Sequence, residues 1–192
     1  MELRLVGSEM CIRDSHRRIQ AGILSWGQDL DHEHNPFQCN LGYQVSLSGK
    51  GEWEKKGDYI GKQALEKMKA DLKDGHKPYK LQLVGFEIGG KPIDEYAPDF
   101  WLVSPGDGGD PCGFITSPWY HPEKGKNIAM GYIPFDGTLN PNGFPKWELG
   151  KKFKVHLPDI YADEPGVPVD AVTVDVPFTE SFNANTREVV KG

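Results

Sequence analysis

Tyr79-Lys-Leu-Gln-Leu-Val-Gly-Phe-Glu87 marks the point where this chain changes character. Leu81, Leu83, Gly85 and Glu87 alternate there with Gln82, Val84 and Phe86. Successive side chains of a strand leave on opposite faces, so this period of two reads as a short strand. Beyond it Pro, Gly and Asp recur at short intervals: Gly89-Gly90, Pro92, Pro98 and Pro105-Gly-Asp-Gly-Gly109. Strands are predicted over residues 100–103, 113–117, 127–133, 152–157 and 171–176. Short strands at such spacing predict an antiparallel barrel or sandwich. Ahead of Tyr79 the period is helical. Ile60, Ala64, Leu65, Met68 and Leu72 fall on one face, Asp58 stands at the N-cap position, and Gly75 and Pro78 stop the helix. A shorter helix is predicted over residues 16–24, with Ile19, Ile23 and Leu24 on one side and Gly27 at its end. Residues 29–35 read as a polar loop, and residues 41–47 as a strand around Tyr43, Val45 and Leu47. The fold class is therefore α+β, helical first and an antiparallel barrel or sandwich second.

The 192 residues suffice for one domain, or one and part of another. With 22 basic and 28 acidic residues the net charge is −6, which supplies no basic stripe for nucleic acid. The lysines of residues 62–80 are interleaved with Glu66, Asp71 and Asp74 and read as a solvated helix face. No apolar run approaches the roughly 18 residues of a membrane span, so neither a membrane nor a nucleic acid is an expected partner. Cys11, Cys39 and Cys112 lack CxxC spacing, which fits free thiols, a reducing compartment and a cytoplasmic location. Residues 5–15, Leu-Val-Gly-Ser-Glu-Met-Cys-Ile-Arg-Asp-Ser, read as a translated adapter. The native sequence is expected to start near His16, and residues 1–15 are set aside.

Several segments follow one another in a telling order. Arg18-Ile-Gln-Ala-Gly22, Trp26-Gly-Gln-Asp-Leu-Asp31, Asn35-Pro-Phe-Gln-Cys39 and Asp58-Tyr-Ile-Gly-Lys62 come first. Leu83-Val-Gly-Phe86, Gly113-Phe-Ile-Thr-Ser117, Lys126-Asn-Ile-Ala-Met-Gly-Tyr-Ile133 and Val176-Pro-Phe178 come after. Together they resemble the folate-dependent one-carbon transferases, the glycine cleavage T protein (aminomethyltransferase) family and its dimethylsulfoniopropionate demethylase-like relatives. The resemblance implies that residues 16–78 are the helical end of a folate-binding domain, 79–178 a C-terminal β-barrel domain and 179–192 a polar tail. It implies tetrahydrofolate as cofactor and a small-molecule one-carbon donor. On the glycine cleavage branch it also implies a lipoyl carrier protein as partner. The family's assisting aspartate would lie upstream, so no catalytic residue is named, and the fragment is expected to be inactive alone. A non-catalytic folate- or partner-binding module is the alternative of another class.

The same resemblance puts Arg18 at the folate cavity, where a guanidinium would steady a carboxylate or the polar edge of the pteridine. The competing role is a surface or inter-domain ion pair. Trp26 and Gln20 are the other implied cofactor contacts. Trp26 either lines a pterin-sized pocket or packs in the core, with core packing preferred, and Asp29 either orients Arg18 or caps a turn, with the cap preferred. Gln20 and Gln38 stand where the family commonly has glutamate. Together with inserts at residues 48–56 and 140–147 they tilt the reading toward the demethylase branch, although drift at structural positions explains them equally. His32-Glu-His34 and His121 present no metal-ligand spacing, so no metal is expected. Thr116-Ser117-Pro-Trp-Tyr120 is rich in hydroxyls without the context of a nucleophile, and Gly106-Asp-Gly-Gly109 reads as a hairpin turn.

Overall fold

A computed structural model describes residues 15–45, 47 and 59–178. The adapter-like segment up to residue 14 with Cys11, the insert at 48–56, Asp58 and the tail from residue 179 lie outside the described residues.

Six antiparallel strands close into a barrel: β1 (Leu81–Ile88), β2 (Trp101–Pro105), β3 (Gly113–His121), β4 (Lys126–Pro134), β5 (Lys152–Val155) and β6 (Val169–Val174). Their order around the barrel is β1-β4-β3-β2-β5-β6, and β1 pairs with β6 to close it. Every predicted strand of the second half is present, within a few residues at each end. The alternation in β1 sets its two faces. Val84, Phe86 and Ile88 join the interior with Val103, Ile115, Phe153 and Val155, while Leu83 faces outward. That outer face is not left to water. Ile19 from the lead-in and Phe178 from the end of the described chain cover it, with Ile128, Met130 and Tyr132 of β4 beneath them. Strands buried on both faces lose the polar half of their alternation, which is why β4 reads as a nearly continuous buried run.

Residues 15–20 are helical, and the helix stops earlier than expected. Gly22, at φ 66°, takes the left-handed position: its N–H donates to the Ile19 carbonyl and the Ile23 N–H to the Arg18 carbonyl. This bond pair ends a helix at glycine. Gly22 rather than Gly27 is therefore the stop, and Ile23 is 59% exposed instead of sharing the buried face with Ile19. A Cβ on Gly22 would also collide with Val176 Cγ1, so the close approach of residues 176–177 requires glycine there.

Among the described residues of 41–47 the expected strand is absent. Gly42–Gln44 forms a 3-10 turn instead, after Asn40 at φ 60°. A closed barrel has no free edge to accept a seventh strand, and Gly42 is wedged where a Cβ would lie 2.8 Å from Phe144 and 2.9 Å from Phe37. Helix α1 (Lys62–Lys73) follows, with Gly61 at its N-cap and no side-chain cap. Leu65, Met68 and Leu72 pack on Phe37, Tyr79 and Phe135, but Ile60 is fully exposed and lies outside that face. Gly75, at φ 81°, ends α1 as expected, through bonds from Gly75 N–H to Leu72 and from His76 N–H to Asp71.

Candidate functional site

The lead-in segment meets the barrel at one buried carboxylate. Asp29 is 1% exposed and lies in the turn after Trp26. Its Oδ2 accepts from Arg18 Nη1 at 2.6 Å and from the Ser25 N–H at 2.8 Å. Its Oδ1 accepts from the Thr116 hydroxyl at 2.5 Å and the Ser117 hydroxyl at 2.6 Å. Its backbone carbonyl accepts from the Tyr132 hydroxyl at 2.6 Å. Asp29 therefore both orients Arg18 and caps the turn, and the preference for the cap alone is too narrow. Four donors on a dehydrated carboxylate satisfy the requirement that a buried charge be paired and hydrogen-bonded.

A register shift makes this possible. The β3–β4 ladder slips between Ile115 and Ser117, leaving Thr116 as the extra residue of a β-bulge. In a regular strand, neighbours 116 and 117 would point to opposite faces. The bulge resets the alternation: Phe114 and Trp119, an odd number of residues apart, both join the outer cluster. Thr116 and Ser117 accordingly reach the same carboxylate oxygen. Gln28 Nε2 donates to the Thr116 carbonyl at 2.8 Å, so the backbone group freed by the bulge is satisfied as well.

Arg18 is held at three points: Asp29, the Ile23 carbonyl at 3.0 Å and, through Nη2, the Ser117 hydroxyl oxygen at 2.8 Å. A guanidinium has five N–H donors. Among the described residues three are engaged, which leaves Nε–H and one Nη2 hydrogen on a side chain 19% exposed. An ion pair of this kind was one of the two roles open to Arg18, and the geometry combines it with two donors still available.

Gln20 lies elsewhere, two residues on along the helix. Its side-chain nitrogen is drawn 3.1 Å from His121 Nε2, and His16 meets His121 edge-on, with ring centroids 6.0 Å apart. His121 Nδ1 accepts from the Lys124 N–H, so a neutral ring carries its proton on Nε2. Gln20 must then present its oxygen to that N–H, the amide flip that a hydrogen-bond network decides. Burial, then Lys124, pushes the His121 pKa down; burial, then His121 itself, does the same for His16, whose Nε2 has no hydrogen-bond partner among the described residues. Trp26 is 69% exposed, so core packing, the preferred expectation, is not its role. Gln38 is engaged locally with Asn35, while its carbonyl accepts from Gln82 Nε2 at 3.0 Å and the Leu83 N–H at 3.0 Å.

Two further features frame this junction. Cys39 and Cys112 are free, with Cys39 buried 3.5 Å from the Tyr132 hydroxyl; burial pushes both thiols up. A cleft of about 280 Å³ lies between the 37–43 turn and the 140–149 loop, walled by Phe37, Tyr43, Phe144 and Trp147. Among the described residues no helix is long and apolar enough to cross a membrane.

No protein-family model matches the chain. Curated relatives do. The chain is 32% identical over 117 residues to an aminomethyltransferase of Synechocystis sp., covering 61% of this chain and 27% of that protein. It is 29% identical over 162 residues to the aminomethyltransferase of Thermosynechococcus vestitus, covering 84% and 35%. The chain thus spans about a third or less of the length of these relatives. A solved structure, the glycine cleavage system aminomethyltransferase T from Bartonella henselae, superposes with a TM-score of 0.59 at 20% identity, over 86% of this chain and 38% of that one. That likeness shows the fold, α+β with the closed barrel. The resemblance to part of the glycine cleavage T protein family therefore stands on sequence and fold together. The relatives' name matches the glycine cleavage alternative better than the demethylase branch preferred from the inserts and glutamines.

Proposed function

We propose that this chain is the barrel-bearing portion of a tetrahydrofolate-dependent aminomethyltransferase, with residues 16–78 ending a folate-binding domain and 79–178 forming the C-terminal barrel domain. The observation that carries the reading is Arg18. A guanidinium locked by a buried carboxylate and a serine, yet keeping two N–H donors and 19% exposure, suits a ligand with acceptor oxygens. The donor set fits one end of a folate: a planar pair of donors matches a carboxylate or the oxygen at a pteridine edge. Trp26, a flat and exposed indole in the same lead-in, is the second proposed contact. Gln20, turned to the buried His121, supports the shape of the site through that part-buried pair. Tetrahydrofolate, when bound, supplies the ring nitrogen that takes up the one-carbon unit. The chain's own contribution is to hold and orient the ligand, so that proximity lowers the barrier. Acid–base assistance belongs to residues outside this chain in this reading.

The relatives' name supports an aminomethyl group as the one-carbon unit, and delivery on a lipoyl carrier protein is the partner we propose for it. The test is a donor assay on the complete protein. Tetrahydrofolate-dependent turnover that requires the aminomethyl-lipoyl carrier supports the proposal. Carrier-independent methyl transfer from a sulfonium or methoxy compound would return the demethylase branch. Folate binding without turnover by any donor would favour the binding-module alternative.

A further inference from the structure

We propose that Thr116 and Ser117 are positioning residues. The β3 bulge turns both hydroxyls onto Asp29, so that Arg18 is held in one plane with Nε–H and one Nη2 hydrogen toward the ligand. This rests on the reading that Arg18 meets the ligand of the site.

An ion pair alone would not do this. The contact of Nη1 with Asp29 Oδ2 is a single point about which a guanidinium can pivot. The Ile23 carbonyl adds a second bond on Nη1, and Ser117 Oγ adds the third on Nη2, which fixes the plane. Ser117 can take this role only as an acceptor. Its one proton is committed to Asp29 Oδ1 at 2.6 Å, so a lone pair faces Nη2. Thr116 donates to the same Oδ1, with the Met130 carbonyl 3.1 Å away as its other acceptor, and Gln28 ties down the carbonyl of the bulge. Ser117 is fully buried and Thr116 and Asp29 nearly so, whereas Arg18 keeps its partial exposure. The support is buried and hydrogen-bonded, and the supported group reaches the surface. Without the extra residue in β3, one of the two hydroxyls would face the barrel interior and Asp29 Oδ1 would lose a donor.

The experiment reads the arginine directly. In the 15N-labelled 192-residue chain, the Arg18 Nη hydrogens, assigned by their loss in Arg18→Lys, are expected as separate, slowly exchanging signals. Ser117→Ala should speed exchange of the Nη2 hydrogens by roughly five- to tenfold, the scale of one lost hydrogen bond. Thr116→Val should loosen the same signals, and Thr116→Ser, which keeps the hydroxyl and adds no bulk, should restore them. Unchanged Arg18 signals in Ser117→Ala would overturn the proposal. So would equal behaviour of Thr116→Val and Thr116→Ser. A second readout is titration with 5-methyltetrahydrofolate. Weaker binding by about fivefold in Ser117→Ala supports positioning toward the ligand, and unchanged affinity despite a loosened Arg18 overturns it. A wild-type chain with ordered Arg18 signals that binds no folate would instead overturn the functional reading, because the free-chain signature stands without any ligand.

Discussion

Replacing Asp29 with alanine removes the acceptor on which four donors converge, and the structure sets the size of the effect. Arg18 Nη1 at 2.6 Å, the Ser25 N–H at 2.8 Å, and the hydroxyls of Thr116 at 2.5 Å and Ser117 at 2.6 Å all lose their partner. Removing one side of a fully buried pair costs about 3–5 kcal/mol, because the remaining charge is stranded. Two features reduce that here. Arg18 is 19% exposed and keeps the Ile23 carbonyl, and Thr116 can fall back on the Met130 carbonyl. The expected loss is therefore about 2–4 kcal/mol. Asp29→Asn should cost less, about 1–2 kcal/mol. Its oxygen can still serve Arg18 and Ser25, while its amide can donate to hydroxyls that are free to rotate. Urea unfolding followed by tryptophan fluorescence measures both. With a slope of about 2 kcal/mol/M, the alanine midpoint should fall by roughly 1–2 M with the slope unchanged. An alanine variant within about 0.5 kcal/mol of wild type, or an asparagine variant worse than alanine, would refute the view that this carboxylate holds the junction together.

Other outcomes follow from the same geometry. Gly22→Ala should destabilise by roughly 2 kcal/mol or more, because a left-handed backbone and a collision with Val176 combine, whereas Gly27→Ala, at φ 83° in open space, should show only the backbone cost of about 1–2 kcal/mol in parallel melts. His16 and His121 are both held below the ordinary imidazole range by burial, so the unfolded chain binds more protons and stability should fall as pH drops below about 6.5. Comparing urea midpoints at pH 7.5 and 5.0 tests this. His121→Gln should shrink the difference, and a midpoint that rises on acidification would contradict it. Glu87 adds a separate, more acidic window. Burial alone would raise its pKa, but Lys126 at 2.7 Å and Lys124 outweigh that and hold it below the usual carboxylate range, so its stabilisation is lost only below about pH 4.5. In a Cys11→Ser background, half-buried Cys112 should react with iodoacetamide well before buried Cys39; mass spectrometry of peptides at timed quenches gives the order, and the reverse order would contradict the burial.

The strands of the barrel were legible in the sequence because they are local patterns with clear punctuation, whereas the choice of barrel over sandwich came from the family resemblance. Alternation in β1 assigns Val84 and Phe86 to one face and Leu83 to the other without any tertiary knowledge. The errors fall where a remote partner decides. Residues 41–47 alternate like a strand, but the barrel closes on itself through β1 and β6 and offers them no edge. Gly27 was read as the stop of the first helix, but the chain turns at Gly22, which Val176, more than 150 residues downstream, makes indispensable. The candidate site was half readable. Arg18 and Asp29 stand in motifs that order and spacing bring to notice. The roles of Thr116 and Ser117 were hidden, because adjacent residues of a strand are expected on opposite faces and nothing local in Gly113-Phe-Ile-Thr-Ser117 announces a bulge. Trp26 shows the converse. A large aromatic in a short motif suggests core, yet the turn built on Asp29 leaves it 69% exposed.

The claim that Arg18 is where this chain meets a folate is tested most directly by titrating the chain with 5-methyltetrahydrofolate, wild type and Arg18→Ala side by side, while following the Arg18 and Trp26 side-chain signals. The account predicts saturable shifts at both residues in the wild type, and affinity at least about tenfold weaker without the guanidinium, the scale of one charge-assisted bond. Equal affinity in the two proteins, or shifts confined to residues away from Arg18, would contradict it.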